Sequence, residues 1–376
     1  MENNRFFPEI NGRFGFGCMR LPMIGEEVDL QQFSRMVDTF LDAGFNYFDT
    51  AHGYIRGKSE TAIRSCLTSR HPRSSYILTD KLTGPYFKTE DDIRPFFQQQ
   101  LDACGVDYFD FYLMHAQSSD NYEHFRECRA YETAFALKAE GKIRHVGISF
   151  HDSPEMLERI LNDYPDLEIV QIQFNYLDYE SPTVQSRAVY EVLARHKKPV
   201  LIMEPVKGGT LVELPDKAQA VLDELHGGSN ASYALRFAAG FPQVCVVLSG
   251  MSDMAQITEN TAFMREFQPL TDHEQEAVRQ VRQIYMEQNS IPCTACRYCV
   301  DGCPQQILIP DLFNAMNLKR VFRDWDQEDR YRNELTKENG KASDCIRCGQ
   351  CEAVCPQHLP IRQLLTEVAN VFERTE

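Results

Sequence analysis

The chain has 376 residues, more than one core usually serves, so a large domain with a smaller one attached is the first expectation. Hydrophobic residues make up 43% and charged residues 25%, an ordinary globular composition, and a formal charge of −16 without any basic run interleaved with aromatics speaks against a nucleic-acid partner. No window approaches about eighteen apolar residues, and MENNRFFPEI has no basic region followed by an apolar stretch, so the expectation is a cytoplasmic protein with no membrane partner.

In chain order, short apolar strands alternate with amphipathic helical patterns. A first hairpin-like strand covers GRFGFGCMRL (12–21), and further strands read FNYFDT (45–50), SYILTDKL (75–82), YFDFYLMH (108–115), IRHVGISF (143–150), IVQIQFN (169–175), PVLIMEP (199–205) and VCVVLSG (244–250). Helical spacing appears between them over Leu30 to Ala43, Asp91 to Ala103, Pro154 to Leu161 and Val184 to Arg195. This repetition predicts an α/β protein with a (β/α)8 TIM barrel rather than an open sheet, and in such barrels chemistry gathers where strands end.

Four polar side chains fall at those ends. Asp49 closes the second strand, Tyr54 follows in its loop, Lys81 closes the third strand and His115 the fourth. Singly each has a bland explanation, since a strand-end Asp often caps a loop and a lone Lys is usually solvated; four from three consecutive strands converge on one face. Tyrosine, with an ordinary pKa of about 10, needs a nearby ammonium to exchange protons near neutrality. A carboxylate holds that ammonium, and a histidine donates a hydrogen bond to a substrate oxygen. Arg20, in the loop after the first strand, faces the same mouth, with a substrate carboxylate or a loop acid as its partner.

Thirteen cysteines divide into five singles (Cys18, Cys66, Cys104, Cys128, Cys245), read as small buried hydrophobes, and eight in two runs, CTACRYCVDGCP (293–304) and CIRCGQCEAVCP (345–356). Each run has the spacing C-x2-C-x2-C-x3-C-P of two-cluster ferredoxins, in which the fourth cysteine serves the other cluster. On that pattern Cys293, Cys296, Cys299 and Cys355 hold one [4Fe-4S] cluster, and Cys345, Cys348, Cys351 and Cys303 the second. The prolines at 304 and 356 prevent a regular helix from continuing there. Zinc also takes four thiolates, but usually from two separated C-x2-C pairs. Between the runs, Leu312, Phe313, Met316, Leu318 and Val321 share one helical face, and Trp325 is expected to pack this insert. The segment resembles the α-helical ferredoxins of respiratory reductases. The expected division is a barrel over 1–270, a helical linker over 271–290 and a small, mainly α-helical ferredoxin-like domain over 291–376.

FNYFDTAHGY resembles the strand-two motif of the aldo-keto reductases, and the family's Asp, Tyr, Lys and His tetrad maps onto Asp49, Tyr54, Lys81 and His115. The whole chain resembles the subgroup with a C-terminal 4Fe-4S domain. The resemblance implies a small carbonyl or alcohol substrate and NADPH or NADH lying across the barrel top. It implies that Ser149 and Gln171 contact the carboxamide, Met203 stands where an aromatic residue usually stacks on the nicotinamide, and the EPVKGGTL loop with Pro205, Lys207 and Gly209 wraps the pyrophosphate. Glu259 and Asn260 match the adenine-side pair. Phe150 replaces the usual asparagine after the serine, and Gly250 and Gln256 stand where a basic pair commonly grips a 2'-phosphate. Clusters pass single electrons whereas a nicotinamide moves two. Three readings follow: a reductase whose clusters exchange electrons with a ferredoxin or other redox protein, a cluster-driven reductase that no longer uses nicotinamide, and a non-catalytic docking or sensor protein stabilised by its clusters.

Overall fold

The computed structural model describes residues 4–182, 184–293, 295–355 and 358–374. The chain divides into two compact units, one comprising the chain up to Leu214 together with Glu224–Val278, the other Pro215–Asp223 together with the chain from Arg279 onward.

The first unit is a closed parallel barrel. Its strands are β1 (Phe14–Gly17), then, after a two-stranded hairpin of β2 (Met23–Ile24) and β3 (Glu27–Val28), β4 (Tyr47–Asp49), β5 (Ile77–Leu82), β6 (Phe109–Gln117), β7 (Ile143–Phe150), β8 (Ile169–Gln173), β9 (Val200–Met203) and β10 (Val244–Gly250). Going round, the order is β1-β10-β9-β8-β7-β6-β5-β4. The first strand is shorter than the sequence pattern, because the chain leaves the barrel after Gly17 and the antiparallel pairing comes from β2 and β3.

Alternation along each strand separates two cores. Tyr47, Ile77, Phe111, Leu113, Ile169, Leu201, Val246 and Leu248 fill the interior, closed at one end by Phe7 and Ile10. Phe48, Leu78, Tyr112, Ile148, Val170 and Ile202 face outward into the layer beneath the helices. Helix Leu30–Asp42 shows why such segments form: Phe33, Met36, Val37 and Phe40 recur at helical spacing and are buried, and the Asp29 carboxylate accepts from Gln32 N. Helix Glu90–Cys104 begins with a reciprocal Thr89–Asp92 cap and ends at left-handed Gly105. β7 and β8 approach closely at Gly147, where a Cβ would lie 2.3 Å from the Ile169 carbonyl oxygen, so only glycine fits there.

The second unit is helical. Helix Ile309–Phe322 buries Leu312, Phe313, Met316, Leu318 and Val321, as its spacing predicts, and Leu312, Phe313 and Met316 share a core with Ile361, Leu365, Val368 and Phe372 of helix Ile361–Phe372. Tyr331 stacks on Phe372 with ring centroids 4.7 Å apart. Trp325 does not pack this insert: it is 81% exposed. The helix ends at left-handed Arg323, after buried Val321 and Phe322 and before Trp325. Pro304 follows a run that has already left its short helix Tyr298–Asp301, while Pro356 lies outside the described residues. Helix Asp272–Asn289 spans the division between the units. Among the described residues no helix is long and apolar enough to cross a membrane.

Candidate functional site

Asp49 and Lys81 share the inward parity of Tyr47 and of Ile77 and Thr79, one layer further toward the strand ends. Both are nearly inaccessible, and the Lys81 ammonium donates to Asp49 Oδ1 at 2.7 Å and to the Thr50 carbonyl at 2.7 Å. It also lies 4.8 Å from the centroid of the Tyr54 ring. Tyr54 opens a tight turn whose next residues, Ile55 and Arg56, are left-handed. Its ring stands edge-on to His115 with centroids 6.0 Å apart.

His115 is aimed by an irregularity. The β6–β7 register shifts between Met114 and Gln117, with Ala116 at φ 51°, so the strand bulges beside the site. The Ser149 hydroxyl accepts from the bulged Ala116 N at 2.7 Å, and Thr83 Oγ1 lies 2.8 Å from His115 Nδ1. The structure therefore brings Asp49, Tyr54, Lys81 and His115 to one end of the barrel.

Electrostatics divide them. Burial pushes His115 down to about 3, helped by Lys81 and His151, so the imidazole is neutral at physiological pH. For Tyr54, burial raises the pKa and Lys81 pulls it back only in part, leaving the phenol protonated. Burial likewise raises Asp49 against the pull of Lys81. Burial opposes the charge on Lys81 as well, but Asp49 and Tyr54 more than offset it and the ammonium is held firmly.

Behind this group lies a cluster that sequence reasoning missed. Ligating atoms of Glu60, Asp80 and Cys104, all buried, lie within 4.8 Å of one another, and Glu60 Oε2 is 2.8 Å from His52 Nδ1. Burial pushes Glu60 up to about 7 and, with the neighbouring Glu60 charge, raises Asp80 as well. These residues come from separate elements, and no local spacing announces the meeting.

The residues matched to cofactor contacts occupy the same end of β7 to β10. Ser149 and Gln171 are buried on the inward face, Met203 is half-buried at the end of β9, and Pro205 is buried in the loop beyond. Gln171 Oε1 and Thr210 Oγ1 are buried without a hydrogen-bond partner among the described residues, as is Asp49 Oδ2. A carboxamide NH2 is the kind of donor that Gln171 Oε1 lacks, so the residues present fit a nicotinamide. Lys207, Gly208 and Gly209 have consecutive positive φ values, a conformation that turns backbone amides toward an anion. The Lys207 ammonium itself is buried and bound to both oxygens of Asp178 at 2.7 and 2.8 Å. Asn260 is buried with Nδ2 3.4 Å from Ser249 Oγ, whereas Glu259 is exposed. Phe150 packs in the outer layer, away from the mouth. Arg20 is exposed, its guanidinium against Gly208 and its stem over Gly250, with no ion pair among the described residues.

In the second unit the cysteines gather around two cavities. One is lined by Cys303, Cys345, Cys348 and Cys351, the other by Cys293, Cys296, Cys299 and Cys355. The grouping is the crossed one, each cavity taking three cysteines from one run and the fourth from the other. Four thiols around one cavity suit an iron-sulfur cluster. The five single cysteines are all buried.

The chain belongs to the aldo/keto reductase family, whose model matches residues 13–283, and a 4Fe-4S dicluster domain matches residues 292–360. It is thus an aldo-keto reductase-type oxidoreductase with an iron-sulfur domain. The uncharacterized oxidoreductase YqkF of Bacillus subtilis is 26% identical over 281 residues, covering 65% of this chain and 85% of that protein. The NADH-specific methylglyoxal reductase of Escherichia coli is 30% identical over 162 residues, 38% of this chain and 48% of that one. Among solved structures, the holo form of aldo-keto reductase AKR11C1 from Bacillus halodurans is 25% identical with a TM-score of 0.60, covering 72% of this chain and 91% of that one.

Proposed function

We propose that the protein interconverts a carbonyl and an alcohol with NADH or NADPH at Asp49, Tyr54, Lys81 and His115. Its clusters, held by Cys293, Cys296, Cys299 and Cys355 and by Cys303, Cys345, Cys348 and Cys351, then exchange electrons with a ferredoxin or other redox protein. The observation that carries this reading is the meeting of the Tyr54 phenol, the buried Lys81 ammonium and the His115 imidazole at one end of the barrel. In the direction of reduction, Tyr54 Oη gives its proton to the substrate oxygen, and Lys81 stabilises the phenolate left behind. Asp49 holds Lys81 in place. Thr83 can donate to His115 Nδ1, which leaves the proton on Nε2 to face the substrate oxygen. When bound, a nicotinamide supplies the hydride for the carbonyl carbon, and the clusters supply or accept single electrons.

Ser149 and Gln171 are the carboxamide contacts in this reading, with Met203 beside the ring, Pro205 to Gly209 along the pyrophosphate, and Glu259 and Asn260 at the adenine. Because Asp178 neutralises Lys207, the loop offers backbone amides more than side-chain charge. The similarity to an NADH-specific reductase supports a nicotinamide. The division into a barrel over 1–270, a linker over 271–290 and a cluster domain over 291–376 is part of the same proposal.

An anaerobic titration of cluster-loaded protein with NADH and NADPH, followed by nucleotide fluorescence, tests it. Micromolar binding, with carbonyl-dependent nucleotide oxidation lost in Tyr54→Phe, is the expected result; binding of neither nucleotide refutes it. The outward Phe150 and the neutralised Lys207 favour a second reading, in which nicotinamide is dispensed with and cluster electrons reach the substrate directly. That reading requires turnover with a chemical one-electron donor and none with pyridine nucleotide.

A further inference from the structure

The mouth of the barrel holds a second histidine. On β7, Val146, Ile148 and Phe150 pack in the outer layer, so the alternate residues point toward the axis. His145 stacks on interior Phe111 with centroids 4.7 Å apart, and Ser149 reaches Ala116 N. His151 is next in that series, one step past the end of the strand. Its backbone N donates to the Gln117 carbonyl at 3.0 Å, which continues the β6–β7 ladder and carries the alternation to this residue. It is close enough to His115, on the neighbouring strand, for the two imidazoles to influence each other electrostatically.

Its surroundings set it apart from the structural histidines. His52 is bonded to Glu60, His71 to Asp38, His145 to Glu9 and Glu168, and His196 to Glu158. His151 is exposed and its ring has no hydrogen bond, ion pair or ring contact among the described residues, yet enough protein surrounds it to lower its pKa by desolvation. An imidazole that is reachable, ringed by protein and without a partner is one whose partner arrives with the substrate.

Resting on the carbonyl chemistry above, we propose that His151 is a substrate-contacting residue that hydrogen-bonds a second oxygen beside the reacting carbonyl. The site then selects α-oxygenated carbonyl compounds over plain aldehydes and ketones. Neighbouring strands lie about 4.8 Å apart. Tyr54 and His115 take the carbonyl oxygen, and an oxygen on the adjacent carbon is the substrate atom placed toward the next strand. A site that hydrogen-bonds a substrate hydroxyl discriminates against the analogue lacking it, because its own polar group is left unpaired.

The test compares hydroxyacetone with butanone, matched in size and differing in the α-oxygen. Wild-type protein should prefer hydroxyacetone, and His151→Phe should lose about tenfold in kcat/KM on hydroxyacetone, chiefly through KM, with butanone changed less than about twofold. His151→Gln, which keeps a hydrogen-bonding group, should recover part of the loss. Equal effects on both ketones, or none on either, overturn the proposal. A second measurement does not depend on turnover: carbethoxylation by diethyl pyrocarbonate, read at His151 by peptide mass spectrometry. Hydroxyacetone at saturation should protect His151 and butanone should not. Absence of selective protection overturns the assignment, whereas protection without turnover of either ketone leaves it standing and counts against the reductase reading instead.

Discussion

Replacing Lys81 with methionine removes the cation bonded to Asp49 and leaves a buried carboxylate without that compensation. At 2.7 Å the pair's attraction is gross and largely spent on desolvation, about 6 kcal/mol at an effective dielectric constant of 20. The carboxylate has an escape, which is to take up a proton. Protonating a group of ordinary pKa about 3.9 at pH 7 costs about 4 kcal/mol, which sets a ceiling on that part of the loss. The Thr50 carbonyl loses its donor as well, worth about 1 kcal/mol. Lys81→Met should therefore destabilise the barrel by about 3 to 5 kcal/mol at pH 7. In the variant, Asp49 has a folded pKa above its unfolded one, so its cost grows as pH rises above the unfolded value and fades below it. At pH 5 the protonation cost is only about 1.5 kcal/mol. The double variant Asp49→Asn/Lys81→Met, with no charge left to bury, should recover all but about 1 kcal/mol while remaining without activity. The assay is anaerobic urea unfolding followed by far-UV circular dichroism; the single tryptophan, Trp325, lies in the helical unit and reports on that unit. A Lys81→Met deficit that is the same at pH 5 and pH 7, or a double variant no more stable than the single one, would refute the reasoning.

Other outcomes are expected. Cys355→Ala should cost the cluster nearest the first cysteine run and Cys303→Ala the one nearest the second, so iron analysis of either variant should fall well below the about eight irons of two intact clusters. Loss of the same spectroscopic signal from both variants would contradict the crossed arrangement of the cavities. His115, pushed down to about 3 by burial, Lys81 and His151, is neutral throughout the working range, so kcat/KM should show no acid limb from it between pH 5 and 8. Burial works to lower His145, but its bonds to Glu168 and Glu9 more than offset this and raise its pKa. Its stabilising contribution is complete below the unfolded value of about 6.5 and is lost as pH rises through the higher folded value. His145→Gln should accordingly cost about 1 kcal/mol at pH 6 and little at pH 9, by urea unfolding at the two pH values.

The sequence by itself determined the elements with local signatures. Strand alternation and helical spacing are short-range patterns, so the barrel, the helix Ile309–Phe322 and the strand-end positions of Asp49, Lys81 and His115 were all legible. The cysteine spacing announced the dicluster domain for the same reason: its ligands come in two tight runs. Only the tertiary structure decided which groups lack partners and which are neutralised. Lys207 meets Asp178 from 29 residues away, which turns an apparent phosphate-binding charge into an internal ion pair. Glu60, Asp80 and Cys104 form one buried cluster from three separate elements, and Trp325 stands exposed beyond the end of helix Ile309–Phe322. His151 looks in sequence like any residue after a strand. Its proposed role at the mouth follows from inward parity, a ladder continued past the strand end and a ring with no partner among the described residues, all properties of the closed barrel and not of the residues flanking it.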